Sequence, residues 1–166
     1  MSHAVHGLIY CWKKNLDYGP RLVADLSDEQ LADQPAADLP LAANHPAWTF
    51  SHLNIYLPLI AAIIEGQTFD DPKEHPFGMQ SRPQADRSLY PTKEELLSTF
   101  VSGHERVLHL LEKCDDSVLG KAVQLPRWQP IMPFAGIALP YLMLNHENMH
   151  LGQLSMWRRV QGMPSV

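Results

Sequence analysis

The last helical stretch predicted for the chain reads NHENMHLGQLSMWRR, residues 145–159. On a helix, His146 and His150 lie about 40° apart on one face, one turn above the other. Two imidazoles in that arrangement can bind one metal ion. Together with Glu147 they also match the pattern H-E-x-x-H, which in many zinc hydrolases provides two ligands and a general base. The stretch therefore indicates part of a metal site.

A purely structural interpretation of these histidines has to be weighed against the metal site. Nine histidines in the chain make one such pair weak evidence by itself. His146 and His150 would then be core-edge or surface residues beside a solvated Glu147. Their helix face, however, is predicted to be core-facing; it continues through Leu142, Met149, Gln153 and Trp157. Buried imidazoles are costly unless a partner satisfies them. His52 is a third histidine in an apolar helix, and one divalent ion would satisfy all three.

The order of residues argues against a zinc protease. In those enzymes the third ligand follows the second histidine of the motif, as a Glu or another His. Residues 151–166 read LGQLSMWRRVQGMPSV and contain no His, Asp, Glu or Cys. The sequence also lacks convincing strands that could hold an extended peptide substrate. The third ligand must therefore come from upstream of the pair.

Composition restricts the class of protein. The 166 residues predict one domain over residues 1–166, and 45% hydrophobic with 19% charged residues is typical of a globular protein. A net charge of -5 with scattered Lys and Arg argues against a nucleic-acid partner. The widely separated Cys11 and Cys114 are interpreted as reduced thiols. The sequence shows no signal peptide and no apolar run of about 18 residues, so we expect a cytoplasmic protein with no membrane partner.

Apolar periodicity predicts four helices. The first runs from about residue 4 to 25, with either a kink at Gly19-Pro20 or a division there into two shorter helices, and one short helical turn capped by Ser27 follows. The second follows Asn44 as N-cap and Pro46 in its first turn, contains His52, and stops at Gly66. The third begins at Thr92 with a capping box and ends near Cys114. The fourth runs from about Ile137 or Tyr141 to Gln161, with its first turn uncertain because of Pro140.

Three loops connect these helices. Residues 34–43 form a short connection. Residues 67–91 carry four prolines, and a loop of that length is more often functional or disordered than merely connecting. Residues 117–133 are interpreted as loop, with a short extended hairpin as the alternative. Four helices without convincing strands predict an all-α, antiparallel four-helix bundle with long loops after helices 2 and 3.

Several of these stretches resemble the DinB-like superfamily, and together they cover most of the chain. The most specific is His146-Glu147-x-x-His150-x-Gly152-Gln153-Leu154, which combines a His-x-x-x-His pair with a following Gly-Gln. LSDEQLADQPAA before the second helix, Trp48-x-x-x-His52-Leu53, and TKEELL at the start of the third helix support it. The resemblance implies an up-down-down-up four-helix bundle that holds one divalent metal through three histidines.

By position, the resemblance implies that the metal ligands are His52, His146 and His150. The usual metal in this family is Zn or Ni. Characterised relatives include bacillithiol-dependent thiol transferases and a mycothiol-dependent maleylpyruvate isomerase, in which the metal is thought to activate a low-molecular-weight thiol. This chain departs from the pattern at Ile55, where no acidic residue follows His52. Two prolines, Pro58 and Pro140, are expected to bend their helices without removing a ligand.

The residues around the predicted ligands have two interpretations each. Glu147 is either a catalytic base that reaches the open coordination position or a solvated surface charge. We assign Gln153 a hydrogen bond to a ligand histidine, with contact to a substrate as the alternative. Three aromatic residues line the cavity or belong to the plain core: Trp12, Trp48 and Tyr56. Arg158 and Arg159 either meet a thiol cofactor's carboxylates or complement the helix dipole.

Two functions remain open at this point. The first is a metal-dependent thiol transferase or hydrolase acting on a small molecule. The alternative is a non-catalytic interaction or dimerisation bundle with a structural metal or none. Apolar residues on the outer surfaces of helices 2 and 4 suggest a homodimer.

Overall fold

The computed structural model describes residues 3–34 and 43–166, and it has a bundle of helices over those ranges. The helices are α1 His3–Arg21, α2 Pro46–Glu65, α3 Lys93–Lys113, α4 Ala135–Pro140 and α5 Glu147–Val160. A π-helical segment, Tyr141–His146, joins α4 to α5, so residues 135–160 form one last helix. Within the described ranges no strand occurs, and one isolated bridge pairs Ala122 with Phe134. The predicted all-α bundle is confirmed.

Helix directions follow from which residues meet. Along α2 and α3, Asn54 bonds to Leu96 and Glu65 to Arg106, so these two helices run parallel. Along α1 and the last helix, the partners are Asn15 with Met143 and Leu22 with Arg158, which again is parallel. The two pairs run opposite to each other: Trp48 lies against His150 and Tyr56 against His146. This is the up-down-down-up arrangement that the family resemblance implied.

The parallel course of α2 and α3 explains the long loop between them. A 20-residue helix is about 30 Å long, and a parallel neighbour can start only after the chain has returned over that length. Residues 67–91 make this return with two 3-10 helices, Pro72–Glu74 and Arg87–Leu89. The loop is therefore a crossing connection as well as a candidate functional segment.

Most predicted helix ends agree with the structure. Gly66 ends α2 with a φ of 76°, a backbone conformation that glycine adopts without strain. Thr92 and Glu95 form the predicted capping box of α3. Ser27 and Gln30 exchange hydrogen bonds at the short 3-10 helix Glu29–Ala32, where one helical turn was predicted. The connection predicted over residues 34–43 falls mostly on residues 35–42, outside the described part of the chain.

Two predicted boundaries are wrong. Helix α1 contains Pro20 and ends at Arg21 rather than near residue 25. Beyond it, Val23 N and Ala24 N donate to oxygens three residues back instead of four, so residues 22–25 form turns. The N-cap of α2 is His45, whose Nδ1 accepts from Trp48 N at 3.2 Å, and not Asn44. The Asn44 side chain points to Gln153 instead, with an Nδ2–Oε1 distance of 2.9 Å.

The last helix is continuous through Pro140 because its turn widens after the proline. Pro140 ends α4 and the π-helical segment starts at the next residue, so one extra residue is taken up between Tyr141 and His146. Wider turns of this kind are a known response to an interrupted hydrogen-bond ladder and occur often at functional sites. His146 is the last residue of this segment.

Helix α2 is the central element of the core. Sixteen of its residues are buried, in contact with both hydrophobic clusters of the protein. It is also the one helix of the described residues with the length and mean hydropathy of a membrane span, although no uninterrupted apolar run predicted one. Since 83% of its most apolar window is buried inside the bundle, packing accounts for this hydropathy, as it does in core helices generally.

Candidate metal centre

Three histidines from two helices meet inside the bundle. His52 comes from the middle of α2, His146 is the last residue of the π-helical segment, and His150 lies in the first turn of α5. Their ligand nitrogens all lie within 4.8 Å of one another, and Nε2 of His52 is 3.0 Å from Nε2 of His146. The structure therefore brings together the three residues that the sequence singled out, although His52 and His146 are 94 positions apart along the chain.

Hydrogen bonds on the far side of two rings set their orientation. His52 Nδ1 lies 2.6 Å from the backbone oxygen of Phe77, which can only accept, so this nitrogen carries the proton. His150 Nδ1 lies 3.0 Å from Oε1 of Gln153, which also accepts from Asn44. Both rings then present the lone pair of Nε2 to the cluster. Metal-binding histidines are commonly oriented in this way.

Burial keeps the three rings neutral. Desolvation lowers the pKa of His146 to about 3, with the neighbouring His150 and His52 adding to the effect. It lowers the pKa of His150 to about 4, and the pKa of His52 also falls below its usual value. A metal binds the neutral imidazole, so at neutral pH no proton has to be removed before binding.

The spacing of the nitrogens fits a metal ion. In a tetrahedral site with metal–nitrogen bonds of about 2.0–2.1 Å, two ligand nitrogens lie about 3.3 Å apart. The distances within the cluster are close enough to reach this by small side-chain adjustments. Three imidazoles suit Zn, Ni, Cu or Fe better than Mg or Ca, which prefer oxygen ligands.

The low histidine pKa values predict an acid-sensitive metal-free protein. Unfolded histidines titrate near 6.5, so between that pH and the folded pKa the unfolded chain binds more protons and stability rises with pH. The free energy of unfolding of the metal-free protein should reach its full value above about pH 6.5 and decline as the pH falls toward 5. Thermal denaturation should show a smaller decline for His146→Gln than for the wild type. An unchanged slope in this variant would contradict the burial of a neutral His146.

A cavity of about 560 Å³ opens beside the histidines. Its walls come from α2, the loop after α2, the last helix and the loop before it, and they include Trp48 and Tyr56, which agrees with one of their two interpretations. Trp48 stacks on His52 with 4.7 Å between ring centroids and an interplanar angle of 11°. Trp12 is elsewhere: it is fully buried and stacks on His104 at 4.1 Å. The three-histidine cluster thus forms one wall of a pocket large enough for a small molecule.

Glu147 is placed differently from both interpretations of the sequence. It is 2% exposed, so it is not a solvated surface charge, and it is not among the residues lining the cavity. Its Oε1 lies 2.9 Å from Nε2 of His104, in the core between α5 and α3. Successive helical residues point about 100° apart, which turns Glu147 away from the direction of His146. Burial raises the pKa of Glu147, and the bond to His104 opposes that rise.

Arg158 also has a structural environment. Its side chain is 1% exposed and makes a two-pronged pair with Asp25, with nitrogen–oxygen distances of 2.6 and 2.9 Å. It also donates to the backbone oxygen of Leu22 at 3.0 Å. These contacts join the end of α5 to the turns after α1. Arg158 is not available to bind the carboxylates of a thiol.

The sequence interpretation missed several residues of this region. His104 lies on the apolar face of α3, four residues after Phe100 and three before Val107, and this spacing could have marked it as buried. Its Nδ1 donates to the Phe100 backbone oxygen at 2.8 Å, which leaves Nε2 for Glu147. The contacts of Asn44 and of the Phe77 carbonyl depend on loop conformation, for which the sequence has no periodic signal.

Comparison with protein families identifies the family of this chain. Residues 13–154 match the DinB superfamily, and this range contains all three clustered histidines. The chain belongs to the DinB superfamily. No curated protein and no solved structure matches it. Membership of the DinB superfamily and the three-histidine cluster are together compatible with metal binding.

Proposed function

We propose that this DinB-family protein is a metal-dependent enzyme that acts on a small molecule, as a thiol transferase or a hydrolase. The observation that carries the proposal is the convergence of three neutral imidazoles at the wall of a 560 Å³ cavity. A structural metal needs no such opening, because structural sites are closed by their own ligands. A site that faces a cavity leaves room for a reactant.

Different residues would bind the metal ion, orient its ligands and exclude water at this site. His52, His146 and His150 would hold Zn²⁺ or Ni²⁺, and a bound ion supplies Lewis acidity that favours the deprotonated form of a water or a thiol at neutral pH. Gln153 orients the ring of His150, and the Phe77 carbonyl orients the ring of His52. Trp48 covers the face of His52 and excludes water from it.

Proton transfer at this site falls to groups other than Glu147. That carboxyl is engaged with His104 in the core and does not line the cavity. Tyr56 does line it, and burial raises the pKa of its hydroxyl, so it stays a phenol at neutral pH. It can donate a hydrogen bond to a substrate oxygen or to a leaving group. This favours a reaction whose nucleophile is generated without a protein carboxylate.

The test is metal content together with activity. Protein purified without a histidine tag should contain about one Zn or Ni per chain by elemental analysis. Chelation should abolish thiol transfer or hydrolysis on a panel of small substrates, and added metal should restore it. Protein that binds metal stoichiometrically yet gives no access to a thiol or water probe would contradict the catalytic proposal.

Gln153 offers a more selective test of the site. Replacing it by alanine removes the acceptor for His150 Nδ1, and the loss of such partners typically lowers metal affinity about 10- to 100-fold. We expect this loss for Zn²⁺ in a competition titration with a chelating dye. Gln161→Ala, at the end of the same helix, should leave the affinity unchanged. Equal affinities of Gln153→Ala and the wild type would show that Gln153 does not orient His150.

A second candidate function is protein association, with the metal structural or absent. Large apolar side chains are exposed along the last helix: Ile137, Tyr141, Met149, Met156 and Val160. These exposed apolar side chains on one helix favour a homodimer, which sedimentation analysis can test.

A single domain over residues 1–166, a cytoplasmic location, and the absence of nucleic-acid and membrane partners also remain predictions.

A further inference from the structure

We propose that the cavity beside the three histidines binds a neutral, mainly apolar small molecule with an aromatic or bulky aliphatic body and one polar head directed at the histidines. This inference rests on the proposed function for the direction of the head. The class of ligand, however, follows from the cavity walls alone. It is therefore testable whether or not the site is catalytic.

The walls of the cavity are mainly apolar. Besides the three histidines, the cavity is lined by ten apolar or aromatic residues and one charged residue, Arg127. No carboxylate, amide or aliphatic hydroxyl side chain is among these lining residues. A ligand that fills the space exchanges water for apolar contact over most of its surface.

The single cation in the wall is already neutralised. Arg127 makes a two-pronged pair with Asp71, with Nε–Oδ2 at 2.7 Å and Nη2–Oδ1 at 2.6 Å. Its guanidinium also lies over the Trp128 ring, 5.6 Å from the centroid. The bond to Asp71 raises the pKa of Arg127 and lowers that of Asp71, so the pair is charged on both sides and neutral as a whole. No uncompensated positive side chain lines the cavity to attract an anionic ligand.

The mouth of the cavity is apolar and adaptable. Met79, Ile131 and Met149 are between 49% and 64% exposed while they line the cavity. Methionine side chains are flexible and polarisable, and they adjust to aromatic ligands of different shape. Exposed apolar side chains around a pocket gain most when a hydrophobic ligand covers them.

These walls discriminate between kinds of thiol and kinds of substrate. A hydrophilic thiol with several carboxylates would have to place those that lie away from the three histidines against apolar walls without an unpaired cationic side chain, which is unfavourable. A neutral hydrophobic substrate meets no such penalty. The lining of the cavity therefore favours binding of a neutral hydrophobic substrate over binding of a polyanionic thiol.

Binding of two matched ligands tests this assignment. The probes are 2-naphthol, which is neutral at pH 7, and naphthalene-2-sulfonate, which has the same ring system, a permanent negative charge and weak affinity for metals. Calorimetry on the protein as purified and after metal removal should show 2-naphthol binding at least about tenfold tighter in both forms. Equal or tighter binding of the sulfonate would overturn the proposal.

Two pairs of variants locate the binding. Asp71→Asn frees the charge of Arg127 and still caps its own turn, so it should raise the sulfonate affinity about threefold to fivefold and leave 2-naphthol nearly unchanged. Met149→Gln should weaken 2-naphthol binding severalfold. Met156→Gln is the matched control, because Met156 is similarly exposed on the same helix but does not line the cavity. Equal effects at Met149 and Met156 would place the ligand elsewhere and refute the proposal.

The outcomes separate this inference from the proposed function. If metal binds at the histidines but the sulfonate is preferred, the ligand class is wrong and the metal site stands. If 2-naphthol is preferred while no metal binds, the ligand class stands and the metal-dependent enzyme is refuted.

Discussion

Replacement of His146 by alanine is expected to lower the affinity for Zn²⁺ by more than about 100-fold. Residues that only orient a ligand typically contribute 10- to 100-fold, and a direct ligand should contribute more. His52→Ala should have a similar effect, because its Nε2 lies 3.0 Å from that of His146 and both rings would bind the same ion. Elemental analysis of untagged protein and competition with a chelating dye measure both variants.

The control for these variants is a histidine outside the cluster. His109 is on α3, exposed, and not among the clustered residues. His109→Ala should keep the metal content and affinity of the wild type. Full metal content in both His52→Ala and His146→Ala would show that the three-histidine site is wrong. Loss of metal in His109→Ala as well would point to surface binding rather than to a defined centre.

Replacement of Glu147 by alanine is expected to be the most destabilising of the single substitutions discussed for this protein. It leaves a buried ring nitrogen of His104 without its hydrogen-bond partner, which costs about 1–3 kcal/mol, and it opens a cavity that adds to this cost. In a domain of this size, that loss corresponds to a fall in the melting temperature of roughly 5 °C or more. Thermal and urea denaturation of the metal-free protein would measure it.

A second substitution distinguishes a structural role of Glu147 from a catalytic one. Glu147→Gln keeps the shape and a hydrogen-bonding group beside His104 but removes the carboxyl. We expect it to be less destabilised than Glu147→Ala and to keep both metal affinity and activity. If Glu147→Gln folded normally, bound metal and lost activity, Glu147 would act as a base after all. A double-mutant cycle with His104→Ala should show strong coupling between the two residues.

The parts of the fold that the sequence predicted depend on local patterns. Helix positions follow from apolar spacing, and the capping box at Thr92 and the glycine at position 66 are local signals. The three histidines could be singled out because two share a helix face and the third lies in an unusually apolar helix. The bundle follows from the number of helices and from the family resemblance.

The parts that the sequence did not predict depend on contacts between distant segments. The adjacent positions of His146 and Glu147 already separate their directions by about 100°. That the carboxyl then meets His104 depends on how α5 packs against α3, which no spacing within residues 145–159 specifies. The pairing of Arg158 with Asp25 across 133 positions is of the same kind. The N-cap of α2 was assigned to Asn44 because of residue preference, yet the neighbouring His45 takes that role and Asn44 supports Gln153.

The π-helical segment divides the last helix into two parts with different angular settings. One extra residue in a helix turns everything beyond it by about 100° relative to a regular continuation. The side chains of α4 therefore point in other directions relative to His146 and His150 than a regular helix would give them. Ile137 of α4 lines the same cavity as these two histidines. The wider turn thus sets how the α4 wall of the cavity faces the histidine cluster, within a single helix.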